Sequence, residues 1–246
     1  MMQEQSIERV DIVIPVKTDI VSLFVNITLP FILKNLPCKK ILILTRRENF
    51  SKIVGAGLEV LDEDQIDQGL TLRSVHDYLE SRGANVNRSG WYFQQFLKFA
   101  IAQTDKVGSK YLVWDADCVP LSKITTFVEN GKTLIDTTTE HHQPYFDTMD
   151  KLWGLHKQVN FSFIAEHFLF EKSLVLKLLD NLFRERERSL WWRLILEGIA
   201  DKDLSCSGFS EYETYGNFIT LHFPHKFKIR NLKKNTAWYF SIGGYP

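Results

Sequence analysis

Cysteine is scarce in this 246-residue chain: Cys38, Cys118 and Cys206 are odd in number and far apart. Such a set argues against a disulfide framework and against a zinc ribbon, which need closely paired thiols. No apolar run approaches the ~20 residues that cross a bilayer. The opening MMQEQSIERVDIVIPV lacks a basic start followed by an apolar stretch, so no secretory leader is read there and a cytoplasmic location is expected. An excess of either charge is missing too. Thirty Lys and Arg balance thirty Asp and Glu, which excludes the basic footprint of a dedicated nucleic-acid binder and leaves any anionic ligand to local groups. With no repeat and no low-complexity segment, one domain over 1–246 is expected.

What is present is a series of short aliphatic runs. RVDIVIPVKTD (9–19) reads as a buried parallel strand that opens at Pro15 into a polar loop, and KKILILT (39–45), LEVLDED (58–64) and YLVWDAD (111–117) read the same way. SLFVNITLPFILKNL (22–36) and SGWYFQQFLKFAIAQ (89–103) carry apolar residues at helical spacing. In the second, Phe93, Phe96, Leu97, Ala100 and Ile101 mark the core face. Strands alternating with helices predict an α/β fold with a mostly parallel sheet flanked by helices. Further on, FSFIAEHFLFEKSLVLKLLDNLF (161–183) reads as a strand that ends through Ala165, Glu166 and His167 and leads into a helix, and RERERSLWWRLILEGIA (184–200) as a mixed-charge helix. CSGFSEYETYGNFITLHFPHKFKIRN (206–231) reads as an acidic, aromatic loop, then an apolar strand-like run, then basic residues.

Two carboxylates one residue apart close the YLVW run. At the carboxyl end of a parallel strand, Asp115 and Asp117 stand where ligands of open α/β sheets sit. Hard divalent cations such as Mg²⁺ or Mn²⁺ take oxygen ligands and bridge to phosphate oxygens, so the pair is placed to hold a metal diphosphate. A bare D-x-D elsewhere would read as a turn. Here the preceding apolar run and the following CVPL favour a site.

VDIVIPVKTD, GWYFQQFLKFA, YLVWDADCVPL, FIAEHFLFEKSLV and GFSEYETYGNF together resemble bacterial glycosyltransferases of the Rossmann-like GT-A fold, most closely the DUF6492-type group of sugar transferases, over about residues 10–225. The resemblance implies a nucleotide-sugar donor, such as a UDP-sugar, bound by about residues 1–120, and a glycan or lipid-linked acceptor bound by about 121–246. It places Pro15, Val16, Lys17 and Asp19 at the nucleotide, Asp115 at ribose or metal, and Asp117 as the firmer metal ligand. Asp62 or Asp64 would touch uracil or ribose.

Glycosyl transfer needs the leaving diphosphate neutralised and, with inversion, a carboxylate to take the acceptor proton. Glu211 is the candidate base, with Glu213 beside it; solvated loop acids are the competing reading. His222 and His225 are candidate metal ligands. Their segment resembles the C-terminal histidine motif of retaining GT-A galactosyl- and glucosyltransferases but lacks its glycine and its lysine–proline–tryptophan ending. His222 is preferred because it follows an apolar run. His167 is a candidate partner for acceptor or diphosphate, oriented by Glu166, with a satisfied structural pair as the competing reading; Trp91 and Gln95 are placed to serve the site, with helical packing as the competing reading of Trp91. His141 and His142 lie beside Glu140 in a polar loop. The basic tail, with Lys226, Lys228, Arg230, Lys233 and Lys234, reads as solvated, with pairing to donor phosphates or peripheral contact with an anionic inner-membrane surface as the alternatives.

The reading is a metal-dependent glycosyltransferase that builds surface glycans such as lipooligosaccharide or capsule. Two alternatives remain. One is a non-catalytic nucleotide-sugar or glycan-binding subunit. The other is an aspartate-nucleophile phosphohydrolase, whose D-x-D normally follows the first strand rather than lying mid-chain.

Overall fold

The structure is a computed structural model and describes residues 8–182, 190–230 and 239–241. In chain order the strands are β1 (Val10–Pro15), β2 (Cys38–Thr45), β3 (Leu58–Asp62), β4 (Lys110–Trp114), β5 (Cys118–Pro120), β6 (Val128–Glu129), β7 (Lys132–Ile135), β8 (His167–Glu171), β9 (Phe227–Ile229) and β10 (Tyr239–Ser241). The helices begin with α1 (Val21–Leu23), which runs through a π-type turn into α2 (Leu29–Asn35). Then come α3 (Leu72–Ser81), α4 (Ser89–Ala100), α5 (Gln143–Trp153), α6 (Lys172–Asp180), α7 (Trp191–Gly198), α8 (Asp201–Leu204) and α9 (Glu211–His222).

Five strands make the main sheet in the order β3-β2-β1-β4-β8. β1 to β4 run parallel, with Ile12 beside Ile41 on one side and Leu112 on the other, while β8 is antiparallel to β4 and sets His167 opposite Trp114. β5–β10 and β6–β7–β9 form two small accessory sheets. Alternation along each strand feeds two cores, because successive side chains point to opposite faces. Val13, Leu42, Leu44, Tyr111, Val113, Phe168 and Phe170 pack under α3 to α7 and α9. Ile12, Ile14, Ile41, Ile43, Leu112, Trp114 and Leu169 pack against α1 and α2. The expected parallel α/β architecture is observed.

Two stretches differ from their sequence reading. His167–Glu171, expected where a strand passes into a helix, is itself strand β8, so Glu166 and His167 stand at a strand's start and not at its end. The SEYETYGNF segment is a helix, α9, not a loop followed by a strand. Ser210 caps it by accepting a hydrogen bond from the Glu213 amide at 3.3 Å. Every residue from Glu211 to Ile219 is buried, so polar and apolar positions do not segregate and the helical period is invisible. A Cβ on Gly216 would come within 2.2 Å of the Phe163 ring. The glycine lets the helix backbone rest on that ring. Among the described residues, no helix is long and apolar enough to cross a membrane.

Candidate functional site

The carboxyl ends of β1 and β4, the residues entering β8, and the first turns of α4, α5 and α9 converge on one cleft. It has two adjoining lobes of about 290 and 320 Å³. α4 is the wall between them. Gly90, Phe93, Gln94 and Leu97 face one lobe, and Trp91, Gln94, Gln95 and Lys98 face the other. These are neighbouring i, i+3, i+4, i+7 stripes of one helix, with Gln94 shared.

The first lobe is largely apolar. Pro15, Val16, Leu72, Phe93 and Leu97 line it, with Lys17, Asp19, Arg46 and Glu63 at its polar side. The β1 end is fixed there because the Val16 amide donates to the Leu44 carbonyl at 2.8 Å and the Thr45 hydroxyl donates to the Val16 carbonyl at 2.7 Å. Glu63 is 8 % exposed. Burial and the neighbouring Asp64 push its carboxyl up to about 7, against the pull of Arg46, whose Nε lies 3.7 Å away.

The second lobe is rich in carboxylates. Asp115, Asp117 and Glu166 line it together with Lys17, Asp19, Trp91, Gln95, Lys98, Tyr145, Ser210 and Tyr212. The D-x-D turn is pinned by its own backbone: the Cys118 amide donates to the Asp115 carbonyl at 3.0 Å, and the Trp114 indole donates to the Cys118 carbonyl at 2.6 Å. The Asp115 amide donates to the Glu166 carbonyl at 2.9 Å. Glu166 itself has a left-handed backbone, φ 60°, a conformation that costs a non-glycine residue about 1–3 kcal/mol and is concentrated at functional sites.

Lys98 holds this lobe together, and nothing in the sequence reading marks it. Its ammonium is fully buried, 2.7 Å from Asp115 Oδ1 and 2.6 Å from Glu211 Oε1, and lies 4.3 Å from the centre of the Tyr212 ring. The Tyr212 hydroxyl also donates to Asp115 Oδ1 at 3.2 Å. The Gln95 amide faces Glu211, and exchanging its oxygen and nitrogen makes it a donor to that carboxylate. Burial pushes Lys98 down, but Asp115 and Glu211 outweigh it and hold the ammonium above the usual lysine range. Charge in the lobe is not balanced. Burial and the adjacent Asp115 push Asp117 up, and push Glu166 up to about 8.

Several expected site residues lie elsewhere. Glu211 is 0 % exposed and paired with Lys98, so it is an internal counter-ion rather than a base open to an acceptor. Glu213 is used up by structure: it accepts from the Ser162 hydroxyl and Phe163 amide on one oxygen, and from Lys157 and Asn217 on the other. His167 is buried, bonded to Asp136 at 2.8 Å and packed on Trp114, on the face of the sheet that carries α1 and α2. Arg230 bonds the same carboxylate. His222 ends α9, exposed and packed on Phe218. Eleven helical steps carry it from Glu211, about 17 Å at roughly 1.5 Å per residue, so it does not meet Asp117. Asp62 binds Arg47 and caps the turn at Asp64, whose carboxylate accepts from the Leu72 amide. Glu63, between them, is the acid that faces the cleft. His141, Lys226, Lys228 and Arg230 do not line the cleft, while Lys233 and Lys234 lie outside the described residues.

The donor set suits a hard cation shared with a ligand. Asp115, Asp117 and Glu166 offer oxygen only, but their oxygens do not all come within 4.8 Å of one another; among the described residues the one cluster that meets that limit is His76, Asp77 and Glu80 on the exposed surface of α3. Mg²⁺-like ions are commonly held in this open way, by one or two carboxylates with phosphate oxygens completing the sphere.

Among solved structures, the chain overlaps mouse xyloside xylosyltransferase 1, apo form, with 13% identity and a TM-score of 0.48 over 90% of this chain and 86% of that one. It also overlaps the apo form of the glycosyltransferase GlyE of Streptococcus pneumoniae TIGR4, with 12% identity and a TM-score of 0.44 over 91% of this chain and 45% of that one. Overlap this low does not identify a substrate. No curated protein sequence matches the chain. A family model described as "family of unknown function (DUF6492)" matches residues 9–237, nearly the whole length, and the chain therefore belongs to DUF6492.

Proposed function

We propose that this chain is a GT-A-type glycosyltransferase that takes a sugar from a nucleoside diphosphate, with UDP-sugars the first donors to test, and passes it to a glycan or glycolipid hydroxyl. In that transfer the acceptor oxygen bonds to the anomeric carbon as the bond from that carbon to the diphosphate oxygen breaks. The diphosphate keeps the electron pair and the acceptor hydroxyl loses its proton. The single observation that carries the reading is the two-lobed cleft. A largely apolar slot of about 290 Å³ adjoins a lobe where three carboxylates face one buried lysine.

The base, the diphosphate and the accompanying cation of such a donor each have matching chemistry. Phe93, Leu72 and Pro15 offer a nucleobase apolar surfaces, and Lys17 lines both lobes, where it can meet a phosphate. A divalent cation, when bound, would neutralise the diphosphate leaving group. Asp117 is the first candidate to hold it, since Asp115 Oδ1 is already engaged by Lys98 and Tyr212. That same engagement makes Asp115 a poor covalent nucleophile and weighs against a phosphohydrolase. A role in surface-glycan synthesis at the inner membrane face is proposed with the acceptor class.

The test is thermal stabilisation by a panel of nucleoside diphosphates, with and without Mn²⁺. A ligand that binds only the folded chain at one hundred times its dissociation constant adds about 2.7 kcal/mol. One nucleotide is expected to raise the melting temperature in a Mn²⁺-dependent way, with the metal-dependent part lost in Asp117→Ala. No shift with any nucleotide in the parent protein would sink the reading.

A further inference from the structure

The carboxylate lobe has an aromatic wall that the donor's base, diphosphate and cation do not account for. Trp91, in the first turn of α4, and Tyr145, in the first turn of α5, both line it. Their planes lie within 9° of parallel with centroids 6.3 Å apart. That separation lies within the roughly 4.5–7 Å of offset-stacked aromatic pairs, so the two rings overlap in part and not face to face. Trp91 is only half-buried.

The pair is braced from behind. Tyr92 meets Trp91 edge-on at 5.0 Å, and His142 meets Tyr145 edge-on at 4.6 Å. The Tyr145 hydroxyl is hydrogen-bonded to Ser207. Rings fixed in this way lose little freedom when a ligand packs on them. Beside them His142 Nε2 is buried without a hydrogen-bond partner, a polar atom whose capacity is unspent.

The surroundings of this wall decide what it suits. Gln94, Glu166 and Ser210 present polar groups around the lobe that the rings line. A flat apolar surface within a ring of hydroxyl-binding groups matches a pyranose, which has an apolar C–H face and a rim of hydroxyls. An acyl chain would find too many polar neighbours. The nucleobase has the separate slot beside Phe93 on the adjoining stripe of α4.

We infer that Trp91 and Tyr145 form the acceptor subsite, on which a pyranose ring of a saccharide acceptor stacks with its hydroxyl edge toward the carboxylate lobe. This inference rests on the glycosyl-transfer reading and narrows its acceptor to a sugar. It separates the roles along α4: Phe93 and Leu97 face the donor base, and Trp91 faces the acceptor.

The probes are methyl α-D-glucopyranoside, methyl β-D-galactopyranoside and lactose, read by saturation-transfer NMR on the full chain with Mn²⁺ and the stabilising nucleoside diphosphate. At least one probe is expected to show transfer strongest at the C–H protons of one ring face. Trp91→Leu should weaken that binding tenfold or more, and Trp91→Phe should recover most of it. Because Trp91 is partly exposed, both variants are expected to fold, which their melting curves check. Tyr145→Phe, which keeps the ring, serves as a second variant and should retain binding. The inference is overturned if no pyranoside binds the parent, or if a folded Trp91→Leu binds as well as the parent. The donor reading fails separately: if nucleotides leave the parent's melting unchanged while pyranosides still bind through Trp91, the subsite stands and the chain is a glycan-binding protein.

Discussion

A lysine with no exposure sits between two carboxylates at the centre of this cleft, and the cost of losing it can be stated. Removing one partner from a buried ionic network leaves the others charged and unsolvated, which typically costs about 3–5 kcal/mol. Lys98→Met keeps the volume and removes the charge, so Asp115 and Glu211 would both be stranded. The variant is expected to lose roughly that much stability in urea titrations at pH 8. Less should be lost at pH 5, where the stranded carboxyls can take up protons. An equal loss at both values would mean that the ion pairs are not what Lys98 contributes. The residue is visible in the sequence as a lone cation inside F-L-K-F, in the middle of a core helix. Its partner reads as a base because Glu211 and Glu213 look alike in a chain of letters, and burial separates them from solvent only after α9 has formed.

At the level of elements, legibility depends on periodicity. The strands β1, β2 and β4 are continuous aliphatic runs, and α4 repeats at three and four, so both their type and the position of Asp115 and Asp117 at a strand end are legible. α9 is not, because it is buried almost all round and its aromatics do not form a stripe. Its docking instead depends on one position. Gly216 brings the helix onto Phe163, where an added methyl group would overlap the ring. Gly216→Ala gains intrinsic helix propensity of up to about 1 kcal/mol, but overpacking typically costs about 1–3 kcal/mol and sometimes more. The net expectation is destabilisation by about 1–2 kcal/mol, read as a lower urea midpoint. Since α9 carries Glu211 and Tyr212 against Lys98 and Asp115, nucleotide-dependent stabilisation should weaken as well. A variant as stable as the parent would mean that the helix backbone does not rest on Phe163.

Over the whole molecule, the buried acids set the direction of the pH dependence. Burial raises Glu63 from about 4.5 to about 7 and, with Asp115 adding to it, Glu166 to about 8; Asp117 and Glu211 move the same way. A carboxyl with a higher pKa folded than unfolded makes the native state the better proton binder. Its contribution is complete below the unfolded value near 4.5 and is lost as pH rises through the folded one. Asp136 runs opposite: burial would raise it, but hydrogen bonds from His167 and Arg230 lower it. Its contribution is lost only below about 3.8, outside the same window. The apo chain should therefore melt higher at pH 5.5 than at pH 8.5. One uncompensated pKa unit is worth about 1.4 kcal/mol, or about 3–6 °C in a chain of this size at roughly 2–4 °C per kcal/mol. Glu63→Gln should flatten the part of the curve below pH 7. Nucleoside diphosphate with Mn²⁺ should flatten the part above it, because a cation beside Asp117 and Glu166 favours their charged forms. A melting temperature that rises steadily from pH 5.5 to 8.5 would contradict this account, since proton uptake on folding could not then be centred in the cleft.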